Sequence, residues 1–325
     1  MGIVVLKLKK VQRYISMSIL ITILLLLLAS PAQGSIVLFP SRIEVFVPPG
    51  GSEIVEVNAA NTGKNPLKCK INSWDFARDE KGIAHPIRPD DVKVFRGCGG
   101  WLDFHSKSMT VSPDETGTFK FTVNVPRDAE YGTHYTYVTI AGTPILPKEK
   151  GKGITIRLPM TYRIHALLLV MVSKPGESSE VGTEIPVLKR SAKLKDLMIG
   201  YLNFSNPVPM KIKIENTGNC HLILTGIIEI WKGKYKGETI RVPEYTLLPM
   251  NTLIIPTTWR SPALFGKFRA KLIGDAGLNK PIKAEKTFWV ISWKLLLPAL
   301  LGIALLIASF ILFLRKFRIQ LARRT

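Results

Sequence analysis

A chain of 325 residues has room for two or three domains, and its three cysteines close at most one internal disulfide, which excludes a fold stapled by many bridges. The formal charge of +21 does not mark a nucleic-acid binder. About nine of those charges flank two apolar ends, and the remaining excess of roughly twelve is spread along the chain. A surface of that sign draws anionic polymers or lipid headgroups, or is an ordinary lysine-rich surface.

In chain order, the first element is the apolar stretch Ile15 to Ala29, which includes an unbroken leucine run from Leu24 to Leu28. Lys7, Lys9, Lys10 and Arg13 precede it, and Ala32-Gln33-Gly34 follows with small residues where a signal peptidase reads. Residues 1–34 therefore predict a secretory signal. The charged region is long enough for the alternative, an uncleaved anchor; both readings export the chain that follows.

From Ile36 the pattern becomes short alternating runs between turn signals, as in β-sandwiches. Ile43, Val45 and Val47 alternate with polar neighbours or Phe46, and Pro48-Pro49-Gly50-Gly51 makes a turn. Leu67, Cys69 and Ile71 alternate with Lys68, Lys70 and Asn72, and Phe119, Phe121, Val123 and Val125 keep a two-residue period. The first sandwich is expected over 35–172. Residues 173–199, with Lys174-Pro175-Gly176-Glu177-Ser178-Ser179, are expected to be an exposed linker, and 200–292 a second sandwich.

The second sandwich repeats the first. Asn61-Thr62-Gly63 and Asn216-Thr217-Gly218 each follow an alternating strand, and Asn and Gly tolerate the positive φ that reverses a chain. Pro113 and Pro249 each precede a strand, and Gly132 and Gly266 follow them by 19 and 17 residues. From triplet to proline the first copy takes about 50 residues and the second about 31. The difference is an insertion around Asp75 to His105. Such insertions either carry special function or record harmless length drift.

Beyond Trp289 and Trp293, placed to sit at a bilayer interface, residues 293–314 are apolar enough and long enough to cross a hydrocarbon core of about 30 Å. The tail 315–325 carries Arg315, Lys316, Arg318, Arg323 and Arg324, which favour the cytoplasmic side. The expected topology is a single-pass protein of the plasma membrane, its bulk outside and its tail inside.

The run Pro49-Gly50, Asn61-Thr62-Gly63, Trp74 and Pro126-Arg127-Asp128-Ala129-Glu130-Tyr131-Gly132 resembles the N-terminal domain of periplasmic pilus chaperones. The layout of signal, two Ig-like domains, one C-terminal helix and basic tail resembles the WxL-interacting surface proteins. That second resemblance implies a first domain linked to peptidoglycan and a second linked to partner or host binding. A soluble pilus chaperone lacks the C-terminal anchor.

Little in the chain points to catalysis. His85, His105, His134, His165 and His221 stand apart, and Cys220-His221 supplies only part of a four-ligand site. Gly97-Cys98-Gly99-Gly100-Trp101 faintly resembles the nucleophile region of papain-like proteases but departs from its pattern. Cys69 and Cys98 are instead a candidate disulfide tying the insertion to the sandwich, with free buried thiols as the alternative. Asp79-Glu80 and Asp90-Asp91 lack the spacing of a calcium loop, and Asn203-Phe204-Ser205 fits a glycosylation acceptor. No cofactor or metal is expected.

The sequence thus predicts an all-β, non-enzymatic membrane protein with two tandem Ig-like sandwiches. It would bind or scaffold another surface protein or an anionic envelope polymer, with the bilayer as its other partner and no nucleic acid. The alternative is a tethered chaperone for exported surface or pilus subunits. The candidate contact surface is Phe95, Trp101 and Phe104, where alanine at Trp101 and Phe104 is expected to weaken capture without unfolding the protein.

Overall fold

The computed structural model describes residues 36–87, 96–146, 160–173, 188–262 and 265–322. The signal segment 1–34, Phe95 and the Gly/Ser-rich stretch 174–187 lie outside them. Strands dominate, as the two-residue periods require. The first sandwich holds β1 (Ile36–Phe39), β2 (Arg42–Val47), β3 (Ser52–Asn61), β4 (Leu67–Trp74), β5 (Phe76–Arg78), β6 (Ala84–Pro86), β7 (Leu102–Phe104), β8 (Ser108–Val111), β9 (Thr116–Asn124), β10 (Gly132–Pro144) and β11 (Tyr162–Val172). One sheet has the order β1-β3-β9-β7 and the other β2-β11-β10-β4-β8, while β5 and β6 form a separate hairpin. The inward residues of the period, among them Val57, Ile71, Phe119, Phe121 and Val138, fill the core between the sheets.

The second sandwich holds β12 (Ala192–Ile199), β13 (Leu202–Asn203), β14 (Val208–Asn216), β15 (Leu222–Lys232), β16 (Tyr235–Leu247), β17 (Thr252–Trp259), β18 (Phe265–Asp275) and β19 (Ile282–Ile291). Its sheets run β12-β14-β17 and β13-β19-β18-β15-β16. Its core includes Ile212, Ile214, Ile228, Trp259, Phe268 and Phe288. The expected linker is shorter than its sequence suggested, because Ala192–Ile199 is strand. A register shift between Leu194 and Asp196 moves the inward face to Leu197 and Ile199, which hides the alternation from a simple two-residue count.

The internal repeat extends to single atoms. Asn61 and Asn216 are both buried at the ends of β3 and β14. Each donates from its amide nitrogen to two carbonyls, Asn61 to Asn65 and Val111, Asn216 to Cys220 and Leu247. Each accepts from the glycine two residues on, Gly63 or Gly218. The turn before the next long strand contains a non-glycine residue at positive φ in both copies, Asp114 at 59° and Met250 at 54°. In both copies the first strand switches sheets. The chain passes from β1 to β2 and from β12 to β13, and the second segment pairs in parallel with the last strand, β11 or β19.

The chain leaves β19 at Ile291 and enters helix α1 (Trp293–Ala322). Leu296–Leu314 has a mean hydropathy of 2.7 and none of it is buried against the sandwiches. That length and composition suffice to cross a membrane. The helix continues beyond 314 through Arg315 and Lys316.

Candidate functional site: the open side of the first sandwich

Pro40 lies between β1 and β2, where a strand loses a donor and is interrupted. The break leaves β11 unevenly covered. Strand β10 pairs with all of Tyr162–Val172, but β2 pairs only with Leu167–Val172. Among the described residues, nothing pairs with the other side of Tyr162–Ala166.

The direction of the exposed groups follows from one hydrogen bond. Leu167 donates its N–H to Ser41 O at 2.9 Å, on the side away from β10. In an antiparallel strand, backbone groups alternate sides every residue. Arg163 and His165 therefore present their N–H and C=O at the open edge, while Ile164 faces β10 with its backbone and the core with its side chain. Exposed apolar residues stand alongside: Val37 and Phe39 on β1, and Met160 just before β11.

The outer face of the same sheet is basic and aromatic. A groove of about 720 Å³ runs over it, lined by Lys70, Trp74, Lys107, Thr139, Arg163 and His165 among others. Trp74 lies 5.9 Å from the Tyr137 ring and 5.5 Å from His165. His165 shares a 2.8 Å hydrogen bond with Thr139, and burial together with Arg163 pushes its pKa down, which keeps the imidazole neutral at neutral pH. Among the described residues, Lys70, Lys107 and Arg163 form no ion pair.

Part of the insertion joins the two sandwiches, a role the sequence reading did not weigh. Its β5–β6 hairpin docks on the second sandwich. Ile254 N–H donates to Glu80 O at 2.6 Å, Asn251 donates to Arg78 O at 2.8 Å, and Lys213 pairs with the Glu80 carboxylate at 2.9 Å. Phe76, fully buried, packs with Tyr135, Leu167, Leu169 and Leu248 across the junction. Beside it, Thr133 N–H donates to Asn219 O at 2.8 Å, and His221 N–H donates to Thr133 Oγ1 at 3.0 Å. Arg42 forms an ion pair with Glu244. The added length therefore joins the domains.

Trp101 and Phe104 are half-buried against the first core, Trp101 4.5 Å from the His134 ring and Phe104 5.6 Å from Phe121. Alanine at either would remove packing as well as surface, so the expectation of a change that spares the fold does not suit these positions.

The three thiols are buried and free, so the candidate Cys69–Cys98 bridge is not formed. Geometry explains this. Cys69 lies opposite Gly142 and Met109, whereas Cys98 precedes Gly99, which is held by Ser73 and Asp75. Ser73 is four residues along β4 from Cys69, about 13 Å at strand rise, and a disulfide needs Cα atoms within about 7 Å. Burial pushes all three thiols up, Cys98 furthest, with Asp75 adding to its shift. Native protein treated with iodoacetamide at neutral pH is expected to carry no adduct and denatured protein three, by intact mass. A native adduct would show a thiol more accessible than this packing allows. Among the described residues, no group of three or more His, Cys, Asp or Glu could hold a metal.

Comparison with known proteins bears on the fold alone. No family model and no curated protein matches the sequence. Solved structures with a similar arrangement include the CupB2 chaperone of Pseudomonas aeruginosa, at 12% identity and a TM-score of 0.38, covering 78% of this chain and 100% of that one. The CsuC–CsuE chaperone–tip adhesion subunit complex of Acinetobacter baumannii matches at 11% identity and a TM-score of 0.40, over 80% of this chain and 99% of that one. The E. coli chaperone DraB matches at 12% and 0.36, over 79% and 96%. The resemblance to WxL-interacting proteins gains no support from these comparisons.

Proposed function

We propose that this is a non-enzymatic, membrane-tethered protein that captures an extended segment of another exported protein, in the manner of an assembly factor. The likeness to pilus chaperones goes no further than the fold. The open edge of β11 supports the reading. Arg163 and His165 offer backbone donors and acceptors beside exposed Val37, Phe39 and Met160, which suits addition of one strand. Helix α1 would hold the capture site at the outer surface of the membrane.

The side chains beside the edge add a preference. A strand added next to β11 places alternate side chains beside Arg163, on the face that carries Lys70 and Lys107 further in, on and beyond β4. Acidic residues in the captured segment would find opposite charge there.

A photoreactive residue in place of Arg163, in the full chain in its own membrane, tests this. The expected product is a crosslink to an exported protein, through a segment that is extended and contains acidic residues. The same group at Lys283, exposed on β19, is expected to give none. Equal yields at the two positions, or no product at 163, would overturn the assignment.

A further inference from the structure

We infer that the α1-proximal end of the second sandwich seats on the bilayer itself, with an aromatic and basic crown in the headgroup layer. The inference rests on the reading that α1 crosses a membrane. Only Ser292 separates β19 from α1, so the membrane boundary must pass close to that end of the domain. The sheet then decides which loops share it. Phe265 pairs with Ile291, Trp231 with Arg269, and Leu202 with Trp289. These registers bring the start of β18, the β15–β16 hairpin and the loop around β13 to the helix end.

The composition of those loops is unusual for a surface that meets only water. Tyr201 is 71% exposed, Tyr235 83% and Phe265 52%, and Phe204 and Trp293 are exposed as well. The Trp289 and Phe265 rings lie 5.5 Å apart, tilted by 38°. Lys232, Lys234, Lys267 and Lys294 are exposed among them. No Asp or Glu occurs in 200–207, 232–237, 260–268 or 289–295. Aromatic rings favour the interface, and each lysine near an anionic leaflet gains attraction from it. The other end of the domain is occupied by the first sandwich, through Asn219, His221 and Leu248. The two ends are thus different surfaces: one matched to protein, one matched to lipid.

This seating has a mechanical consequence. A one-residue connection and a wetted crown together fix the height of the second sandwich. Strands of about ten residues at ~3.3 Å each then hold the junction, and the open edge beyond it, roughly 30 Å above the headgroups.

Spin labels on the full chain in phosphatidylcholine vesicles containing phosphatidylglycerol test the crown. The buried native thiols leave labels confined to the introduced sites Tyr235→Cys, Phe204→Cys, Lys68→Cys and Leu305→Cys. Collision with a water-soluble nickel chelate is expected to be several-fold lower at 235 and 204 than at Lys68 on the first sandwich, with oxygen collision higher. Lys232→Gln, Lys234→Gln and Lys267→Gln together are expected to raise chelate access at 235. A label at 235 as accessible as the one at 68, while 305 reports hydrocarbon, would overturn the crown and leave the membrane span standing. A label at 305 exposed to the chelate would overturn both.

Discussion

Placing valine at Gly132 is expected to uncouple the two sandwiches. Gly132 has φ +114°, where an L side chain is strained, and a Cβ there would sit 2.4 Å from Asn219 O and 3.0 Å from an Arg96 guanidinium nitrogen. Asn219 O is the acceptor for Thr133 N–H, so the added carbon displaces the carbonyl that ties β10 to the second domain. Backbone strain of about 1–2 kcal/mol adds to loss of a buried hydrogen bond worth about 1 kcal/mol and to disruption of the His221–Thr133 contact. The total is about 3 kcal/mol. Calorimetry should show a lowered and split transition, and limited proteolysis should cut between the domains sooner. Gly233 serves as control. Its φ is also positive, but a Cβ there meets nothing, so Gly233→Ala should cost about 1 kcal/mol and leave the domains coupled. A single unshifted transition for Gly132→Val would mean that the junction tolerates what its geometry forbids.

The second large effect is expected at Asn216, and again at Asn61. Alanine at 216 strands the Cys220 and Leu247 carbonyls and the Gly218 N–H in a dry turn. One buried unsatisfied group costs about 1–3 kcal/mol, so Asn216→Ala should lose about 3 kcal/mol in chemical denaturation. Aspartate should do no better, because a carboxylate has no N–H to give the two carbonyls. Asn61→Ala should destabilise the first sandwich similarly. A loss below about 0.5 kcal/mol at both sites would remove these triplets from the structural account.

What closes the triplets was hidden, since neither holds a residue at positive φ and the asparagine amides reach Val111 and Leu247, 50 and 31 residues away. The turns themselves were legible because Asn-x-Gly after an alternating strand is a local signal. The sandwich class and the C-terminal helix were legible for the same reason, since periods of two and an uncharged run need no tertiary knowledge. The role of Gly132 was only half legible. Its place in the repeat, 19 residues after Pro113, was plain, but nothing in sequence places Asn219, some ninety residues away, against it. The insertion's part in the junction was hidden on the same account. Phe76, Arg78 and Glu80 look like loop residues until the second domain is set beside them.

The open edge had one sequence signal, Pro40 inside an otherwise strand-like run, which breaks the strand that would have covered β11. Which segment was left uncovered depends on pairing register, and register between distant strands is a tertiary fact. The crown was hidden in the same way. Tyr201, Tyr235 and Phe265 are dispersed in sequence and meet only through the β13-β19-β18-β15-β16 order.

Backbone amide exchange along β11 tests strand capture most directly, measured on the full chain alone and on the complex isolated through the position-163 crosslink. In the free protein, Arg163 and His165 N–H should exchange quickly while Leu167 N–H, bonded to Ser41, is protected. In the complex, the amide of the photoreactive residue at 163 and that of His165 should become as protected as Leu167. Fast exchange at both positions in the complex would show that the partner binds without adding a strand, and would contradict the proposal.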